Sequence, residues 1–164
     1  VISKFQAYDY DEYTEYVCID IEGRYYIFNE SGVMDYSIML DTYTLDLPEF
    51  LEKYNSTNEQ GKVVLNIQKF IDAINSYDYN YAYNCLSTGF KTNYFKTVQD
   101  FEKYIESTLY AKNEVSYESF EEQSGLYKYK VKITNKENQT ESTTKTFIVK
   151  LNDGTDFEMS FNVD

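Results

Sequence analysis

Residues 127–133 read Tyr-Lys-Tyr-Lys-Val-Lys-Ile, and their strict alternation decides the fold class. Tyr127, Tyr129, Val131 and Ile133 fall on one side of an extended chain, and Lys128, Lys130 and Lys132 on the other. A period of two with one apolar and one charged side is the pattern of a half-buried strand. Upstream, Val115 and Tyr117 open a strand around 115–121. Downstream, a polar stretch at 135–143 (NKENQTEST) reads as a loop. It leads to Phe147, Val149 and Leu151, which alternate with Ile148 and Lys150. Asn152-Asp153-Gly154 is a hairpin turn signal, and Phe157, Met159, Phe161 and Val163 form the last strand. Four strands joined by short links predict an antiparallel meander.

Before these strands the period is that of a helix. Between Lys62 and Ser76, Val63, Ile67, Phe70, Ile71 and Ile74 make a single apolar stripe. Asp78 is placed to cap a second helix carrying Tyr81, Ala82, Cys85 and Leu86, with Gly89 where a helix end favours a left-handed residue. Thr97, with Asp100 three residues on, caps a third helix bearing Val98, Phe101, Ile105 and Leu109. Three helices followed by about four strands predict an α+β domain over 60–164, its helices packed on one face of a curved, cone-like antiparallel sheet.

Residues 1–59 read as an acidic, β-rich appendage. The first 15 are polar and without period, a frayed lead-in. Val17, Ile19 and Ile21 mark a strand, Gly23-Arg24 a turn, and Tyr25–Phe28 the second arm of a β-hairpin. A third extended stretch, Tyr36–Leu47, closes at Pro48, which opens a short helix, PEFLEKY. The polar segment Asn55–Gly61 is the expected boundary between appendage and domain.

The net charge of the 164 residues is −13, and residues 1–59 hold 13 acids against 3 bases. Such a chain is repelled by phosphate backbones, so no nucleic-acid partner is expected. No apolar stretch is long enough to span a bilayer, so no direct membrane insertion is expected either. With no histidine, Ser-His-Asp and Cys-His nucleophile systems and histidine metal sites are excluded. The six glycines are scattered singly and build no phosphate loop. The run Asp9–Glu15 lacks the glycine and the bidentate acid of a calcium loop, so no metal is expected. No cofactor is expected. Cys18 and Cys85 form neither a disulfide framework nor a metal motif, and whether they pair stays open. The chain begins at Val1, and the expectation is that an N-terminal signal or membrane anchor preceded it.

The opening KVVLNIQKFIDAINSYDYNYAYNCLS at 62–87, with its Asn-x-x-Asp-Tyr step between helices, resembles the nuclear transport factor 2-like (cystatin-like) superfamily of α+β cones. The third helix TVQDFEKYIE and the ending DGTDFEMSFNVD add to the resemblance, which covers residues 60–164. It implies a scaffold shared by isomerases, dehydratases, transport adaptors and secretion-channel subunits, with many bacterial members outside the cytoplasm. On it an enzyme can pair an Asp base with Tyr donors in an apolar cavity. Here Tyr81, Tyr117 and Tyr129 are the expected pocket-lining residues, with Tyr83 a further donor, but the three best strands offer no inward carboxylate. The favoured expectation is therefore a non-catalytic, extracytoplasmic, membrane-anchored binding or assembly module of a bacterial surface protein. It would take a protein partner or a small apolar ligand, oligomerising where it serves as a secretion or conjugation subunit. A small lyase or isomerase and a purely structural domain are the alternatives.

Overall fold

A computed structural model describes residues 2–9, 12–21, 24–28 and 34–39 by their backbone and the chain from Pro48 to Asp164, with side chains from Phe50 onward. It divides into two compact units, Val1–Leu45 and Asp46–Asp164.

The first unit holds four strands, β1 (Ile2–Asp9), β2 (Glu12–Ile21), β3 (Arg24–Phe28) and β4 (Met34–Met39), in the order β1-β2-β3-β4. All neighbours are antiparallel. The expected hairpin is the β2–β3 pair, in register at Ile21↔Arg24, while Gly23 lies outside the described residues. The expected frayed lead-in is instead a strand pair, with Ile2 opposite Ile19, Phe5 opposite Tyr16 and Tyr8 opposite Tyr13. Of the third extended stretch, Tyr36–Met39 belongs to β4, and residues 40–47 lie outside the described residues.

The second unit is α+β, with five helices: the short one expected to open at Pro48, the three expected over 60–164, and one more. They are α1 (Pro48–Ser56), α2 (Glu59–Asn75), α3 (Tyr79–Asn84), α4 (Thr88–Tyr94) and α5 (Val98–Thr108). The unit begins ahead of α1, which lies before the expected boundary at 59/60. Asn58, Asp78 and Thr97 cap α2, α3 and α5 through their side chains. The unexpected helix is α4. Ser87 accepts from the Phe90 amide and starts it, so Gly89 sits in its first turn rather than ending α3.

The sheet of this unit runs β5 (Asn113–Gln123), β6 (Leu126–Asn135), β7 (Asn138–Leu151), β8 (Phe157–Phe161), antiparallel in that order. Ser124 and Gly125 both take positive φ, 54° and 79°, which suits the tight β5–β6 turn. The polar stretch expected as a loop is the first part of β7, which begins at Asn138 opposite Asn135. Residues 138–142 are exposed on both faces, so a wholly polar sequence is tolerated there and the alternation that marks a half-buried strand is absent.

The α2 stripe faces the sheet: Val63, Ile67, Phe70, Ile71 and Ile74 are buried, as are Val131, Ile133, Phe147, Val149 and Met159. Lys128, Lys130 and Lys132 are exposed on the other side. A band of rings fills the space between helices and sheet. Phe70 lies 6.1 Å from Phe101, 5.8 Å from Phe147 and 5.9 Å from Phe161, centroid to centroid. Phe95 touches Phe90, Phe101 and Phe161 in turn. The outer edge of β8 is covered where the α3–α4 link bridges it: the Ser87 amide donates to Met159 O at 2.9 Å, and the Met159 amide to Cys85 O at 3.0 Å.

Candidate functional site

Tyr117 and Tyr129 stand on adjacent strands, their rings edge-on at 5.0 Å, with Phe120 5.2 Å from Tyr129. A register shift between Tyr117 and Ser119 returns Phe120 to the inward face beside them. Both hydroxyls are engaged by α2. Tyr117 donates to Val64 O at 3.3 Å, and Gln60 Nε2 donates to the Tyr129 hydroxyl at 3.1 Å. Burial pushes the Tyr117 hydroxyl well above its ordinary range, helped by Tyr129 and Asp72, so it stays a neutral donor. Asp72 itself accepts from Gln68 Nε2 at 2.8 Å. The pair thus ties the first half of α2 to the sheet.

Tyr81 is on α3 and does not share that strand face, while the neighbouring Tyr83 donates to Phe95 O at 2.6 Å. Cys85 carries a free buried thiol, and burial pushes its pKa up to about 12. Among the described residues no group of three or more His, Cys, Asp or Glu side chains could hold a metal ion.

Two surface grooves flank α2. One, of about 450 Å³, lies where α1 meets α2 and is lined by Lys53, Thr57, Asn58, Gln60, Gly61 and Val64. The other, of about 410 Å³, lies beyond the far end of α2 and is lined by Tyr77, Tyr79, Glu102, Ile105, Glu106 and Tyr110, with Leu109 and Ala111 completing it. Volumes in this range suit a bound side chain or small ligand.

The second groove is built by a helix end of unusual composition. The Tyr77 amide donates to Ile74 O at 3.0 Å and the Asp78 amide to Ala73 O at 2.8 Å, the hydrogen-bond pair of a Schellman ending. Its left-handed position is normally glycine, but here it is Tyr77, at φ 58° and with 58% of its surface exposed. Asn75 clamps the opposite wall. Its Oδ1 accepts from the Asn113 amide at 2.8 Å and from Asn113 Nδ2 at 3.0 Å, and its Nδ2 donates to Asn113 O at 3.0 Å. Asn113 in turn fixes Tyr110 by accepting from its amide at 3.0 Å and donating to its carbonyl at 2.8 Å. Lys112 Nζ donates to Asn75 O at 2.6 Å and lies 4.9 Å from the Tyr77 ring centroid.

Glu102 and Glu106 are one turn apart on α5 and line the same groove. Among the described residues neither meets a basic side chain at ion-pair distance. The Tyr79 hydroxyl is raised above its ordinary range, by burial first and then by Glu106, Glu102 and Tyr77.

Two buried cations escaped the sequence reading: Lys69 on α2, 6% exposed with its ammonium 4.1 Å from the Phe50 ring centroid, and Lys145. Lys145 is 4% exposed on the inward face of β7. It donates to the Tyr104 hydroxyl and, at 2.8 Å, to Asn162 O, with its ammonium 5.0 Å from the Tyr104 ring and 5.6 Å from that of Phe161. These contacts satisfy it within the ring layer. The Thr-Lys-Thr-Phe alternation at 144–147 was its only sequence signal.

No protein family matches the chain, and neither the curated proteins nor the solved structures contain a match. Among the described residues no helix is long and apolar enough to cross a membrane.

Proposed function

We propose that this chain is a non-catalytic binding module that engages a protein partner through the helical side of its second unit. The observation that carries the reading is the filled interior. Phe70, Phe101, Phe147 and Phe161 occupy the space between helices and sheet, where an enzyme of the resembled scaffold would need an open cavity. Among the described residues, open volume is found in surface grooves at the two ends of α2. Tyr117 and Tyr129 support the same reading, because both hydroxyls are engaged in fastening α2. The helices-on-sheet arrangement agrees with membership of the nuclear transport factor 2-like superfamily. From that resemblance follows the proposal of an extracytoplasmic, membrane-anchored setting, with assembly into a secretion or conjugation complex as one use of such a module.

The test is a ligand titration of the folded full chain with benzene and with 1-anilinonaphthalene-8-sulfonate, followed by NMR and fluorescence. The expected result is no saturable binding in the wild type. Phe70→Ala, which opens a dry cavity in the same place, should acquire benzene binding and so shows that the assay detects one. Saturable one-to-one binding by the wild type, with shifts at Phe70 and Phe147, would refute the reading.

A further inference from the structure

We infer that α1 is a releasable strap: it detaches from α2 in one piece while the rest of the second unit stays folded, and its docking completes the groove of about 450 Å³. The argument starts from how little of the helix is buried. Of residues 50–56, only Phe50 and Tyr54 are buried, while Glu52, Lys53, Asn55 and Ser56 are exposed. The two rings are one helical turn apart, with centroids 5.7 Å from each other, so they make a single footprint. A helix of nine residues does not hold its shape alone in water, so α1 is helical only while that footprint is in place.

The surface of α2 that meets the footprint is polar. The Lys62 ammonium lies 5.4 Å from the Tyr54 ring centroid and the Lys69 ammonium 4.1 Å from that of Phe50. Between them, Asn66 Nδ2 donates to the Tyr54 hydroxyl at 3.2 Å. Lys62, Asn66 and Lys69 follow at spacings of four and three, a stripe of α2 distinct from the apolar one that faces the sheet. An ammonium gives up water to meet a ring and regains it on release, so such a contact opens more readily than one between aliphatic chains. Asn66 adds a bias towards opening. It is 0% exposed, and its Oδ1 has no hydrogen-bond partner. A buried acceptor left unpaired carries a desolvation cost, which release of α1 removes by returning the oxygen to water.

The start of α2 is built to survive that release. Asn58 caps it without help from α1, accepting from the Gly61 amide at 2.9 Å, so α2 keeps its first turn when the strap leaves. Release does alter the groove. Lys53 and Thr57 line one side of it, and Gln60, Gly61, Val64 and Leu65 of α2 the other. Opening takes the first side away, so an occupant of the groove binds the closed form and, by linkage, holds the strap down.

The experiment measures hydrogen exchange of the full chain across a urea series, together with acylation of Lys69 by sulfosuccinimidyl acetate, both read by mass spectrometry. In the wild type, the amides of residues 52–57 should exchange, and Lys69 should be acylated, through one shared opening whose frequency barely depends on urea. The 127–133 peptide should stay protected until global unfolding. Tyr54→Ala should raise both strap signals at least about tenfold while 127–133 still unfolds in a separate, later step. Asn66→Leu keeps the side-chain shape and removes the unpaired oxygen, so it should lower both signals about tenfold. If 52–57 follows the same urea dependence as 127–133, or Lys69 acylation does not track the exchange of 52–57, the strap does not open by itself and the proposal fails. Unchanged or more frequent opening in Asn66→Leu would overturn it equally.

Discussion

Asn75→Ala should be among the most damaging substitutions outside the ring layer. The Asn75 side chain makes three hydrogen bonds to Asn113 across 38 residues of sequence, two to its main chain and one to its amide group. Asn113 is 2% exposed, so water does not replace these partners without opening the structure. Each net hydrogen bond contributes about 1 kcal/mol, and leaving the buried amide and carbonyl of Asn113 unpaired adds desolvation cost. The expected loss is about 3 kcal/mol, and it falls on one junction, where the end of α2 meets the start of β5. Asn75→Asp keeps the acceptor for the Asn113 amide but sets a carboxylate oxygen against the Asn113 carbonyl at a helix C-terminus, so it should cost no less. The assay is hydrogen exchange read by mass spectrometry across a urea series, which follows peptides of the second unit separately from those of the first. Asn75→Ala should lower the urea midpoint of peptides spanning 63–74 and 127–133 together, and the 109–117 peptide should exchange fastest. A loss below about 1 kcal/mol, or an unchanged 109–117 peptide, would show that this clasp is not what joins helix to sheet.

Phe70→Ala removes the ring that contacts Phe101, Phe147 and Phe161 and should cost about 4 kcal/mol in the same assay, whereas Phe70→Leu should cost less than half of that. Gly61→Ala places a Cβ 2.0 Å from Thr57 Oγ1 and 3.0 Å from Thr57 Cβ. It should therefore destabilise by about 1–3 kcal/mol despite the better helix propensity of alanine, with partial recovery in Thr57→Ala, as thermal unfolding will show. For Cys85, burial raises the thiol from 9.0 to about 12, so the folded protein keeps it protonated while an unfolded chain ionises. Its contribution is whole below about pH 9 and is lost as pH rises from 9 towards 12, at close to 1.4 kcal/mol per pH unit. Wild type and Cys85→Ala compared by urea unfolding at pH 8 and pH 10.5 should therefore converge, and a constant difference between them would refute the burial argument.

Where burial imposed a period, the sequence was legible. The stripe of α2 and the alternation of β6 were both readable because each has one wet and one dry side. Beyond that condition legibility failed for identifiable reasons. Residues 138–142 are wet on both faces, so β7 carries no alternation there and resembles a loop. Helix α4 is only seven residues long, and Gly89 drew attention as a terminator when Ser87 was the signal, as a cap. Tyr117 and Tyr129 could be placed on one face from strand period, but their fastening to Gln60 and Val64 depends on how α2 lies across the sheet. The Schellman ending was hidden because its marker is glycine, and Tyr77 stands in its place.

The distribution of charge explains why the helical side, rather than the open face of the sheet, is the surface to probe. On that face the lysines of β6 stand opposite Ser116, Ser119 and Glu121 of β5, and Lys150 stands opposite Glu158. Lys130 lies 3.9 Å from Glu118 and Lys150 3.7 Å from Glu158. These pairs are exposed, so they contribute little to stability, yet they leave the face close to electrically balanced and well solvated. A balanced, wet face presents nothing in particular to a charged partner. Across α5 the situation differs, because among the described residues neither Glu102 nor Glu106 meets a basic side chain at ion-pair distance. Helix α5 carries Asp100, Glu102 and Glu106 against Lys103, a local excess of negative charge. A field of that kind steers cationic segments towards one place on the surface, and its effect on association rate will weaken as ionic strength rises.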